Sequence, residues 1–396
     1  MPVQAGHPLE GIKVVALEHA LAAPLCTRHL ADLGAEIIKI ERPGEGDFAR
    51  SYDKYVLGQA SFFVWLSRGK RSLTLDVKNP AAREILNRLL ADADVLIQNI
   101  APGAAARLGL SYEALSPTHP KLIVCDISGY GDTGPFANKK AYDLLIQAES
   151  GLMSVTGTPE TPSRVGISAA DIATGMYANA AILAALVRRG RTGHGANVKI
   201  AMLDALAEWM AYPMYRHAYD NSLVPRSPSS HPALAPYGAH DTQDGQVIFG
   251  LQNEREWAVF CTKVLAQPDL VTDPRFNSNT QRAANRAEIT AIIEAVFADK
   301  TSLQVVALLD QFGIANGRLN TAKEVWEHPQ FVARDRWREI QTPAGAVQAL
   351  LPPVTFSDIE AVMGNVQSLG EDTDAILAEL RFNPDEIAAL HRDGAV

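Results

Sequence analysis

Five short β-rich runs, at 12–17, 35–40, 72–77, 95–98 and 122–127, alternate with helical patterns at 24–33 and 81–91. This alternation limits the fold more than any single residue does. Val- and Ile-rich strands joined by helices imply a parallel sheet, because each crossover lays a helix on one face until both are covered. The expected class is α/β, with a Rossmann-like parallel sheet in a large domain and a smaller α+β domain attached. Right-handed crossovers place the loops after the strands along one edge, where open α/β sheets bind ligands. Those loops are 18–24, 41–50, 99–107 and 128–140.

The glycines argue against a dinucleotide site on this sheet. Glu41 ends the second strand, where a ribose-binding acid would stand. Yet the first strand is followed by Glu18-His19-Ala20-Leu21-Ala22-Ala23-Pro24, without the G-x-G-x-x-G that lets backbone approach a pyrophosphate. A G-x-x-x-x-G-K-[ST] phosphate loop is also missing.

A chain of 396 residues has room for two domains. The breaker-rich stretch Pro225-Arg226-Ser227-Pro228-Ser229-Ser230-His231-Pro232 marks a change of architecture. Beyond it, 246–251 reads as a strand and 254–265, 286–298 and 302–312 as helices. The closing segments 373–381 and 384–391 are helical and return to the first domain. The expected division is a large domain over 1–210 with 330–396, a smaller one over 225–325, and linkers at 211–224 and 326–329.

Composition narrows the partners. Hydrophobic residues at 47% and charged residues at 20% are ordinary for a soluble globular chain. The net charge of −9 argues against a broad nucleic-acid surface, while leaving room for a local basic pocket around an anionic ligand. The longest apolar runs, such as 178–187, fall short of the roughly 18 residues that span a bilayer, and residues 1–8 lack a leader's apolar stretch. The expectation is a cytoplasmic protein bound to neither nucleic acid nor membrane. Cys26, Cys125 and Cys261 follow no zinc or redox spacing, so they read as buried thiols and imply neither disulfide nor metal.

Asp171 stands out within Gly166-Ile167-Ser168-Ala169-Ala170-Asp171-Ile172-Ala173-Thr174-Gly175, at the start of a nearly charge-free helical pattern. On local grounds it is a cap, accepting a hydrogen bond from a backbone N–H of the first turn, or a reagent.

A series of short motifs lies along the chain. It begins Leu9-Glu10-Gly11-Ile12-Lys13-Val14, Leu33-Gly34-Ala35-Glu36-Ile37-Ile38-Lys39-Ile40-Glu41-Arg42-Pro43-Gly44 and Arg68-Gly69-Lys70-Arg71-Ser72-Leu73-Thr74-Leu75-Asp76. It continues with Ala93-Asp94-Val95-Leu96-Ile97-Gln98-Asn99, Pro102-Gly103, Ser128-Gly129-Tyr130-Gly131, Asp171 and Arg191-Thr192-Gly193-His194-Gly195. Together and in this order they resemble the family III CoA-transferases, which include formyl-CoA transferase and carnitine and bile-acid enzymes.

The resemblance implies that Asp171 is a nucleophile that forms an aspartyl anhydride and then an aspartyl-CoA thioester, a division of one acyl transfer into easier steps. It implies an acyl-CoA and a small carboxylic acid as substrates, no tightly bound cofactor, and a homodimer of two ring-shaped, interlocked chains. Arg42, Asn99, Arg107 and Lys140 match CoA-contacting positions, the stretch from Leu75 to Lys78 borders the adenine, and Leu21, Ala22 and Tyr142 line the same site. Lys70, Arg71 and Lys139 are further available cations. Leu21 replaces a glutamine of formyl-CoA transferase, and the long Gly-rich loop of that enzyme is missing, so formate and oxalate are poor guesses.

Related α-methylacyl-CoA racemases need a His as second base, in a Gly-His-Asp motif. The corresponding stretch here is Lys140-Ala141-Tyr142-Asp143, which favours transfer over racemisation. A CoA-binding module without chemistry is the remaining alternative. The wording from Tyr142 to Gly157 resembles members acting on C4 and C5 dicarboxylates such as itaconate, mesaconate or citramalate, with succinyl-CoA as donor. A second carboxylate calls for a cation, and Arg226, His231, His240 and Arg255 are candidates. Tyr237 and Gly238 adjoin them, and Gly238 or Gly250 would let a backbone N–H approach an oxyanion.

Overall fold

The computed structural model describes residues 6–396. Residues 1–5, part of the start read above as lacking a leader, lie outside them. The chain forms two compact units. The first comprises the described part of Met1–Leu152 with Val165–Tyr212 and Ala333–Val396, and the second Met153–Arg164 with Pro213–Val332.

The first unit is built on six strands: β1 (Lys13–Leu17), β2 (Glu36–Glu41), β3 (Lys70–Thr74), β4 (Val95–Gln98), β5 (Ile123–Ser128) and β6 (Ala196–Ala201). They pair in parallel in the order β3-β2-β1-β4-β5-β6. Alternate residues of each strand point to opposite faces. Val14, Ala16, Ile37, Val95, Ile97, Ile123 and Cys125 form one core with helices α1 (Ala22–Asp32) and α5 (Ala169–Thr192). Val15, Leu17, Ile38, Ile40, Leu73, Leu96 and Val124 form the other with α3 (Ala82–Ala91), α6 (Thr373–Glu379) and α7 (Pro384–Arg392). Two helices complete the labelled set, α2 (Ser61–Ser67) and α4 (Asp143–Glu149). The strand order reverses between β1 and β4, so the crevice at their carboxyl ends is where such a sheet takes a ligand.

β3 starts two residues before the expected 72, because Lys70 is paired opposite Ile37 and buried while its ammonium meets Glu18. After Thr74, Leu75 N–H still pairs with Glu41 O of β2, and Asp76 N–H turns to Ala395 O. α5, at 24 residues, is long and apolar enough to cross a membrane, which the apolar runs counted above did not suggest. Ala173, Ala178, Ile182 and Ala185 are buried within the first unit, while Met176 and Val187 are exposed. Gly175 permits the α1 contact: a Cβ there would lie 2.6 Å from the Ala22 carbonyl oxygen. The three cysteines are free and buried.

The second unit carries an antiparallel sheet of Tyr237–Thr242, Gly245–Gly250 and Asn316–Arg318. Its core joins Val247 and Phe249 to Trp257, Phe260, Ile289, Ile293, Phe297 and Leu309 from the helical segments. The stretch expected as a linker at 211–224 contains the helix Ala211–Asp220, and the short helices Ala322–Trp326 and Pro329–Ala333 flank 327–328. Sequence periodicity also missed α2 and the hairpin Trp337–Thr342 with Gly345–Leu350 of the first unit.

Candidate active site

At the switch point, the loops after β1 and β4 are tied together. Asn99 Nδ2 donates to the His19 carbonyl at 2.9 Å and its Oδ1 accepts from the His19 N–H at 2.9 Å. The next residue, Ala20, has a left-handed backbone at φ 60. Its N–H donates to Asp47 Oδ1 at 3.2 Å, which also accepts from Ala49 N–H at 2.9 Å. Asp47 therefore fixes both the strained turn after β1 and the turn Phe48–Ser51.

Beneath these loops lies a buried ionic network. Glu18 bonds Lys70 at 2.6 Å, Thr27 at 2.6 Å and Lys39 at 3.3 Å, while Lys39 also reaches Asp47 at 2.8 Å. Glu41 accepts from Arg50, from Ser72 and from the Asp47 N–H. Burial pushes the Lys70 ammonium down to about 8 against the pull of Glu18. For Glu41, burial works upward, but Arg50 and Lys39 outweigh it and hold the carboxyl at about 2. Glu41 is thus committed to structure. Lys70 and Arg71, counted above as available cations, are engaged as well: Lys70 with Glu18, and Arg71 with Glu36 and Glu379. Lys139 pairs with Glu149.

Asp171 is the third residue of α5, which begins on the carboxyl side of β5. Its carboxylate does not cap the helix. Asp143 Oδ1, from α4, accepts the N–H groups of Ala170 at 2.8 Å and Asp171 at 3.4 Å, and Ser168 at the N-cap position makes no side-chain cap bond. Among the described residues the Asp171 carboxylate has no hydrogen-bond or ion-pair partner. Burial, with the Asp143 charge adding to it, pushes Asp171 up to about 7. The site therefore contains a part-buried carboxylate whose oxygens are available and which is harder to ionise than an ordinary Asp.

Aromatic rings adjoin it. His19 stacks on Phe48 at 5.7 Å, Phe48 meets Tyr52 at 5.8 Å, Tyr52 meets Phe62 at 6.0 Å, and Phe62 meets Trp65 at 6.4 Å. Burial, with the charges of Asp47, Asp171 and Tyr142, pushes the Tyr52 hydroxyl up to about 12, so both tyrosines lie within electrostatic range of this region. Sequence reading missed this series. Its only signal was the cluster of rings at 48, 52, 55, 62, 63 and 65.

Leu21 is buried beside Leu25 and Leu66, with Ile172 packed against them, and Ala22 is buried at the start of α1. Arg42, after β2, is exposed and paired with Glu45 at 2.8 Å. Leu75 is buried after β3, and Lys78 is exposed. Arg107 is exposed at the end of the short helix Ala104–Arg107 after β4, Lys140 is exposed after β5, and Tyr142 is exposed at the N-cap of α4. Asp171, in the first turn of α5, and these cations thus lie on segments that follow the carboxyl ends of the parallel strands.

The second unit holds the residues expected to bind the acceptor acid. Arg226 donates to the carbonyls of Thr158 at 2.8 Å, Pro159 at 2.6 Å and Ser154 at 3.4 Å, so its guanidinium is already occupied. His231 stacks on Tyr237 at 5.2 Å and its Nδ1 accepts from Ala233 and Leu234 N–H groups. His240 is buried against Phe249, and burial pushes it down to about 4, so it is neutral instead of the expected cation. A Cβ on Gly238 would lie 2.7 Å from Ser229 O and one on Gly250 2.8 Å from the Tyr237 ring; packing accounts for both glycines. Arg255 is exposed and, among the described residues, its side chain makes no hydrogen bond or ion pair.

Similarity to known proteins agrees with this geometry. A succinyl-CoA:glutarate CoA-transferase of Mus musculus is 34% identical over 98% of this chain and 90% of its own. An acetyl-CoA:oxalate CoA-transferase of Acetobacter aceti is 35% identical over 84% of this chain and 86% of its own. The crystal structure of a CAIB/BAIF family protein from Brucella suis superposes with a TM-score of 0.84, at 36% identity, over 95% of this chain and 100% of its own. Residues 9–373 match CoA-transferase family III, and the chain belongs to that family as a CoA-transferase.

Proposed function

We propose that the protein moves CoA from succinyl-CoA to a C4 or C5 dicarboxylic acid, with Asp171 as the covalent carrier. The observation that carries this reading is the Asp171 carboxylate, part-buried, unpartnered among the described residues and raised to about 7. Asp171 Oδ attacks the thioester carbonyl; the C–S bond breaks and CoA leaves as thiolate. The thiolate then attacks the Asp171 carbonyl carbon, releasing the donor acid and leaving an aspartyl-CoA thioester. The acceptor carboxylate attacks that carbon in turn, and the returning thiolate takes the acyl group from the second anhydride. One thioester replaces another of similar energy, so the sequence is driven by positioning.

Arg42, Arg107 and Lys140 supply charge for the CoA phosphates, with Lys78 and Leu75 toward the adenine and Leu21, Ala22, Asn99 and Tyr142 nearer the thioester. What supports this is their placement, like that of Asp171, on segments that follow the carboxyl ends of the parallel strands. The glutarate-acting relative supports a C5 diacid, and the oxalate-acting one makes a shorter diacid the competing acceptor. The proposal includes a cytoplasmic homodimer. An acceptor screen with succinyl-CoA tests the substrate assignment by the mass of the CoA ester formed. Glutarate, itaconate, mesaconate or citramalate should exceed oxalate and a monocarboxylate; equal or faster transfer to oxalate or the monocarboxylate would refute it.

A further inference from the structure

The helix that delivers Asp171 has no cap of its own. Ala170 and Asp171 N–H groups reach Asp143 Oδ1, at 2.8 and 3.4 Å, from a helix 28 positions earlier in the chain. The other oxygen of Asp143 accepts from Gln147 Nε2 at 2.7 Å. Gln147 is fully buried and in turn holds the Val165 N–H at 2.9 Å and the Ile167 carbonyl at 3.1 Å. Four hydrogen bonds thus join α4 to the segment that ends at Asp171, more than a cap alone requires.

The electrostatic consequence has a definite sign. A helix N-terminus carries roughly half a positive charge and would favour an ionised Asp171. Asp143 occupies those N–H groups and sets a second carboxylate beside the first, which disfavours ionisation. Tyr52, after the Phe48–Ser51 turn, lies within electrostatic range of Asp171 and of Tyr142 at the N-cap of α4, and the helix Met202–Ala207, packed on Ala170, carries the exposed Asp204. α1 presents Ala22 and Leu25 to α5, neither of them charged. Among the described residues no cation is paired with Asp171 to offset Asp143.

We propose that Asp143 is the positioning residue of this site, capping the helix that carries Asp171 and holding a like charge beside it until acylation removes that charge. This rests on the assignment of Asp171 as nucleophile. When Asp171 Oδ bonds the acyl carbon and sulfur departs with the electron pair, the Asp171 charge passes to the thiolate. The repulsion between the two carboxylates is then relieved in the step that consumes the nucleophile.

The test is a carbon-13 NMR titration of the Asp171 carboxyl in ligand-free protein, assigned with Asp171→Asn, in wild type and in Asp143→Asn. The amide keeps an oxygen for the Ala170 N–H and drops the charge, so the midpoint should fall by about one pH unit or more, making the ionised fraction of Asp171 at pH 6 about fivefold larger or more. The pH profile of hydroxylamine-trapped adduct should move the same way, with KM for acyl-CoA within about twofold of wild type. An unchanged midpoint in folded Asp143→Asn would overturn the proposal. A wild-type midpoint in the ordinary carboxylate range would overturn it even if the variant does not fold. A shifted titration without adduct in either protein would support the charge pairing and refute the nucleophile.

Discussion

Asp171 shows how a single residue divides between two readings that sequence leaves open. Position and composition suggested a cap, and the motif order suggested a reagent; the hydrogen bonds assign the cap to Asp143 and leave the Asp171 carboxylate available. Asp143 was not legible because an acid at the first position of its own helix looks like an ordinary first-turn charge. The raised Asp171 pKa fixes a pH dependence. The folded protein binds this proton more tightly than the unfolded chain, so its stabilising contribution is present below about 4 and is lost as pH rises toward about 7. Asp171→Asn should therefore be more stable than wild type at pH 8, by about 1–3 kcal/mol, and about equal to it near pH 4, in chemical denaturation. The same variant should lose CoA transfer by a factor of about 1,000 or more.

Among the elements, the strands were legible from their apolar runs, but the charges threaded through them were not. Lys39 interrupts Glu36–Glu41 and Lys70 opens β3, and each reads as exposed until the Glu18 carboxylate is placed between them. Breaking a buried pair leaves an uncompensated charge, so Glu18→Gln or Lys39→Met should each lower unfolding free energy by about 3–5 kcal/mol. Both should also loosen the turn carrying Phe48 and Tyr52, seen as faster amide exchange at 47–52. The α1 and α5 contact makes a separate prediction. Gly175→Ala puts a methyl 2.6 Å from the Ala22 carbonyl, and the forced shift should destabilise by about 1–3 kcal/mol in denaturant melts.

On the scale of the whole molecule, the six-stranded parallel sheet was readable because both of its faces are buried, which leaves a strong mark on sequence. The Trp337–Thr342 and Gly345–Leu350 hairpin left little mark, since its strands pair with each other and bury only some of their side chains. Segment Met153–Arg164 belongs to the second unit through contacts far along the chain, including Arg226 on Thr158, that no local pattern announces. The proposal of a CoA-binding edge rests on family resemblance and strand topology together. Neutralising Arg107 or Lys140 should raise KM for acyl-CoA by about 3–10-fold with little change in kcat, and less so at high salt. Sedimentation at micromolar concentration should give a dimer, and a monomer there would exclude it.

The most direct measurement is peptide mass spectrometry after quenching turnover of succinyl-CoA with hydroxylamine. A covalent carrier predicts a hydroxamate on Asp171 that forms in wild type, requires acyl-CoA and is absent from Asp171→Asn. Transfer that proceeds without a hydroxamate, or with one on another residue, would contradict it.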